Sequence, residues 1–87
     1  MISNDTLIEM GFTPVPNFTI GNGMTYDLGR NRFLSASSVG TPNEMLFIYA
    51  SNPKDSREIT DIITIHNYDY DGYLTRNKVN KIILALT

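Results

Sequence analysis

Residues 44–50, Glu-Met-Leu-Phe-Ile-Tyr-Ala, constrain the fold more than any other stretch of the chain, because they form its most apolar run. Successive side chains of an extended strand point to opposite faces, so Met45, Phe47 and Tyr49 share one face and Leu46, Ile48 and Ala50 the other. A strand that is apolar on both faces belongs inside a sheet whose two sides are covered. The rest of the chain must therefore supply neighbouring strands and covering layers.

Period-two alternation supplies the strands. Phe18 and Ile20 alternate with Thr19, and after a Gly21-Asn22-Gly23 turn Met24, Tyr26 and Leu28 alternate with Thr25 and Asp27. Gly29-Arg30-Asn31 reads as a hairpin turn into 32–37, where the small residues Ser35, Ala36, Ser37 and Ser38 permit close approach. Gly40-Thr41-Pro42-Asn43 is a turn into the apolar run, and 52–56 is a polar loop. Residues 59–66 fit helical spacing at Ile59, Ile62, Ile63 and His66 and also fit a strand; their β-branched density assigns a strand, with Thr60 and Thr64 on the face of His66.

Helices flank the strands. Ser3, Asn4 and Asp5 are capping residues, Thr6 and Glu9 have capping-box spacing, and Gly11 falls where a left-handed C-cap would. This predicts a helix of about two turns with Leu7, Ile8 and Met10 as its apolar surface. Pro14 and Pro16 then force an extended connection. At the other end Val79, Ile82, Ile83 and Leu86 follow i, i+3, i+4, i+7 behind a Thr75 N-cap, predicting an amphipathic helix over 75–86. The fold class is α+β: a short N-terminal helix, an antiparallel meander of about four strands, and a C-terminal amphipathic helix on one sheet face, in one domain over 1–87. The second apolar face is expected to take another copy of the chain as a homo-oligomer.

Composition narrows the function classes. A chain of 87 residues buries only roughly 60% of its unfolded surface. A net charge of −2 lacks the clustered Lys and Arg that neutralise phosphates, which argues against nucleic acid as a partner. With no cysteine there is no disulfide framework, thiolate metal site or thiol nucleophile. No apolar run approaches the ~20 residues of a membrane span and the first residues lack a secretion-signal pattern, so a cytoplasmic protein with no membrane partner is expected. The sequons at Asn4 and Asn17 are read as chance.

The candidate chemistry gathers where an apolar strand gives way to the last helix, at His66-Asn67-Tyr68-Asp69-Tyr70-Asp71-Gly72-Tyr73-Leu74-Thr75. Asn67, Asp69 and Asp71 with Gly72 have the spacing of an EF-hand calcium loop, yet Lys78 stands where a bidentate Glu should close the shell. The competing reading is a turn in which Asp69 or Asp71 caps the last helix and Gly72 supplies a positive φ. His66, the one histidine, has no Ser or Cys around it to suggest a triad, so it is either a semi-exposed structural residue or a ligand contact oriented by Asp69 or Asp71. Tyr68, Tyr70 and Tyr73 suit stacking on a base or docking a protein, against the alternative that they pack beneath the turn. Arg30 and Arg32 flank a tight turn and could clamp a phosphate, or simply solvate it.

Residues 40–47 together with 66–75 resemble small proteins encoded by Bacteroidetes phages and prophages, and the likeness runs from about Leu7 onward. The resemblance implies an anti-defence factor that sequesters a nucleotide-type immune signal; it carries no catalytic motif and transfers no individual residue. The resulting expectation is a non-enzymatic, cofactor-free protein that withholds a small nucleotide-derived, ADP-ribose-like ligand, with Tyr26, Arg30, Arg32, Tyr49, His66, Asn67, Tyr68 and Tyr70 as candidate contacts. The alternatives are a protein-protein module that inhibits a host factor, and a degenerate calcium-loop protein.

Overall fold

The computed structural model describes residues 1–14, 23–52 and 54–87, with the side chains of 52 and 55–58 outside that description. The expected strand at Phe18–Ile20 and most of the Gly21-Asn22-Gly23 turn lie outside the described residues.

The first helix, α1 (Asn4–Glu9), begins where the Ser3 hydroxyl accepts the Thr6 N–H at 3.2 Å. It ends at Gly11, whose φ of +101° lets the Gly11 N–H reach the Ile8 carbonyl and the Phe12 N–H the Leu7 carbonyl. That paired closure brings Phe12 back onto Leu7, and both are buried. Ile8, expected to add apolar surface to the contact, is instead 51% exposed.

Among the described residues five strands follow as an antiparallel meander in chain order: β1 (Thr13–Pro14), β2 (Met24–Gly29), β3 (Arg32–Ser37), β4 (Met45–Asn52) and β5 (Asp55–Asn67). The two-residue β1 falls in the predicted extended connection and pairs Pro14 with Met24. Proline is tolerated there because β1 is an edge and needs no outward N–H. The β2–β3 hairpin closes through Arg30 and Asn31, both at positive φ, the left-handed pair whose twist suits a two-residue hairpin. The ambiguous segment 59–66 is strand, inside β5.

Leu34, Ala36, Leu46 and Met24 line one face of the sheet and join Leu7, Phe12, Leu74 and Val79 in a single core. The C-terminal helix, α3 (Arg76–Leu86), contributes Val79 as its buried residue, with Ile82, Ile83 and Leu86 half-buried against the core. Its N-cap is Thr75, whose hydroxyl accepts the Lys78 N–H at 3.2 Å. On the opposite sheet face Phe47 and Tyr49 are each 2% exposed. Phe33 stacks on Tyr49 at 5.3 Å, and Ser35 is fully buried beside Phe47 in the ladder.

The outer strand β5 is irregular, and its irregularity positions the site. Phe47 pairs with Thr64 while its neighbour Leu46 pairs with His66, so Ile65 is an extra residue in the ladder. Such a bulge reverses the side-chain alternation beyond it. His66 therefore shares the core face with Leu46 rather than the face of Thr64, and is 1% exposed where a semi-exposed residue was one expectation.

Candidate functional site

The last residues of β5, the helical turn α2 (Tyr68–Asp71), the Gly72–Thr75 link and the first turn of α3 make one continuous corner around His66. Asn67 caps α2 twice over. Its side-chain oxygen accepts the Asp69 N–H at 3.0 Å, and its own N–H is accepted by Asp71 Oδ2 at 3.1 Å. The turn closes with the Gly72 N–H on the Tyr68 carbonyl at 2.9 Å, and Gly72 then takes φ +72° and ψ −162°. Asp71 thus caps this turn, while Thr75 alone caps the helix that follows.

Behind the turn lies a buried polar network. Glu44, completely buried just before β4, accepts the Gly40 N–H through Oε2 at 2.8 Å, and the Leu74 N–H and His66 Nε2 through Oε1. On the far side of the ring, Lys78 Nζ is 3.0 Å from Nδ1 and Asp71 Oδ2 is 3.8 Å from the same atom. An ammonium can only donate, so Nδ1 is the accepting nitrogen and Nε2 carries the proton given to Glu44. A carboxylate removed from water needs such donors, because an unpaired buried charge is strongly unfavourable.

Of the oxygens that suggested a calcium loop, Asn67 Oδ1 and Asp71 Oδ2 already accept N–H groups of their own turn, and Lys78 Nζ lies 3.8 Å from Asp71 Oδ1. The lysine at the position of the missing bidentate ligand brings its own cation to the corner. Asp71 is held below the usual carboxylate range by the Asn67 N–H first, with the positive Lys78 and the His66 ring adding to it.

The tyrosines divide by role. Tyr68 and Tyr73 pack ring on ring at 4.6 Å, tilted by 54°, and bind the turn to the link beyond it. Burial first, then Tyr68 and the charge of Glu44, push the Tyr73 phenol up. Tyr70 makes no part of that pairing and is 89% exposed at the tip of α2.

His66, Asn67, Tyr68 and Tyr70 are therefore brought together, while the other candidates lie elsewhere. Arg30 and Arg32 sit at the opposite end of the sheet, since Arg32 pairs with Ala50 whereas Ser37, Met45 and Asn67 align at the near end. The length of β3 separates the two ends by roughly 17 Å. Tyr26 packs beside Phe12 at 5.4 Å on the helix-covered face, and Tyr49 is buried on the other face, its phenol pushed up by that burial. Glu44 was not legible as a site residue, because a single acid preceding an apolar strand carries no motif. Comparison with protein-family models, with curated proteins and with solved structures gives no match for this chain.

Proposed function

We propose that the chain is a non-enzymatic recognition module that docks on a protein through the α2 corner. The observation that carries this reading is Tyr70: a large aromatic side chain, 89% exposed, on a turn that is capped at both ends and backed by a buried polar network. A rigidly presented tyrosine offers contact area at little entropic cost, the usual makeup of an interface anchor. Asp69 and Asp71 flank it, both exposed, so the complementary surface is basic. The resemblance to phage-encoded proteins supplies the setting, with a host factor as the target. The test is capture from host-cell extract by immobilised wild type and by Tyr70→Ala. One stoichiometric protein held by the wild type and lost by the variant supports the reading; equal capture by both contradicts it.

A second reading, sequestration of a nucleotide-derived ligand, is favoured by Asn67, Tyr68 and Tyr70 sharing one corner, with His66 buried behind them. With Arg30 and Arg32 at the far end of the sheet, phosphate contacts from them would have to come from another copy of the chain. Native mass spectrometry after exposure to infected-cell extract separates the two readings. A dimer that gains a nucleotide-sized mass supports sequestration, and a protein adduct supports docking.

A further inference from the structure

Two groups of opposite charge compete for one atom, Nδ1 of His66. Lys78 Nζ holds it now at 3.0 Å, and Asp71 Oδ2 stands 3.8 Å away. We propose that His66 is a protonation switch for the aromatic turn: a proton added at Nδ1 exchanges Lys78 for Asp71 as its partner and draws α2 toward the ring. The inference rests on the reading of α2 as the recognition corner and names a regulation of that corner.

The charged groups that face the ring are Glu44 from the loop before β4, Asp71 from α2 and Lys78 from α3. Glu44 meets the other nitrogen and keeps its hydrogen bond in both states, so the ring has a fixed anchor. The chemistry at Nδ1 changes completely. Once protonated it is a donor, and the ammonium opposite it is also a donor of like charge, so that contact becomes repulsive. Asp71 offers an acceptor of opposite charge about 1 Å beyond the usual hydrogen-bond distance. Its carboxyl is held below the usual range, mainly by the Asn67 N–H.

The exchange reaches the surface because Asp71 is not a free arm. Its Oδ2 now accepts the Asn67 N–H that caps α2, and α2 carries Tyr68 and Tyr70. Moving that oxygen to the ring loosens the cap and shifts the turn. Lys78, whose side chain is 38% exposed, turns outward to water. The step consumes one proton from solvent and breaks no covalent bond.

Imidazole ¹⁵N spectra of the intact chain, followed from about pH 8 to about pH 4 with the backbone amides, test the proposal. At the alkaline end the ring should show the Nε2–H tautomer. On acidification one titration should move the ring nitrogens, the Lys78 side-chain signals and the Asn67 and Tyr70 amides together, in a protein that stays folded. In Asp71→Asn the lysine signals should still move while the two amides stay in place. An Nδ1–H tautomer at high pH would overturn the proposal. So would unfolding before the ring takes its proton, a titration that leaves the Asn67 and Tyr70 amides unmoved, or an undiminished amide shift in Asp71→Asn. The spectra use the isolated protein, so their failure leaves capture by Tyr70 standing, and loss of capture leaves the switch standing.

Discussion

Glu44 and His66 are 22 residues apart in the chain, yet their side chains meet in the interior at 3.2 Å, and Glu44 carries two backbone N–H groups besides. This single carboxylate ties together the loop before β4, the end of β5 and the link into α3. Glu44→Ala would leave the Gly40 and Leu74 N–H groups and the His66 ring without their acceptor. A buried donor left without its acceptor costs about 1–3 kcal/mol, and losing several at once removes a large part of the stability of a small domain. Urea unfolding should show that loss as a lower midpoint with little change in slope. A loss under about 1 kcal/mol, the size of an exposed pair, would mean that the network is not buried in solution.

Asp71 predicts a pH dependence of definite sign. Its folded carboxyl titrates below its unfolded value, through the Asn67 N–H and then Lys78, so ionised Asp71 stabilises the fold above about pH 4. That contribution disappears as pH falls through the lower, folded value. Asp71→Asn should therefore melt below the wild type at neutral pH, and the gap should narrow only on acidification below about pH 4. A gap that is constant down to pH 2 would contradict the assignment.

Gly72 occupies a backbone region that only glycine adopts without strain, at φ +72° and ψ −162°, and a Cβ there would meet open space. Gly72→Ala should thus lose about 1–3 kcal/mol through the backbone alone. At Gly11 the φ of +101° is joined by a contact, since an added Cβ would lie 3.2 Å from the Tyr26 ring. Thermal denaturation of both alanine variants checks the pair; a Gly72→Ala protein as stable as the wild type would show that the turn can close another way.

Tyr70→Ala should leave stability within about 0.5 kcal/mol of the wild type, because the side chain is 89% exposed. The contrast with Tyr68→Ala is informative, since that change removes the stack on Tyr73. Measured melting temperatures should fall for Tyr68→Ala and stay for Tyr70→Ala. A fall in the latter would place Tyr70 in the packing rather than on the recognition surface.

The α+β plan was legible because period carries it: alternation at Met24, Tyr26 and Leu28, a doubly apolar run at 44–50, and the Val79, Ile82, Ile83, Leu86 stripe all appear as elements. Thr75 and Gly11 marked their helix ends correctly, because capping is local chemistry. The inward turn of His66 was not legible, since it depends on the extra residue Ile65 in the ladder, and no composition signal marks where a ladder slips. The partnership with Glu44 was hidden for the same reason, being set by the register of β4 against β5. Eight residues of suitable chemistry do not make one site unless the topology gathers them, and Arg30 and Arg32 are a sheet's length from Tyr70.

Photo-cross-linking from position 70 tests the central claim most directly. With Tyr70→benzoylphenylalanine in the full chain, irradiation in host-cell extract should give one discrete protein adduct, while the same group at Arg30 gives none. An adduct that forms from position 30 and not from position 70 would contradict the account and move the recognition surface to the other end of the sheet.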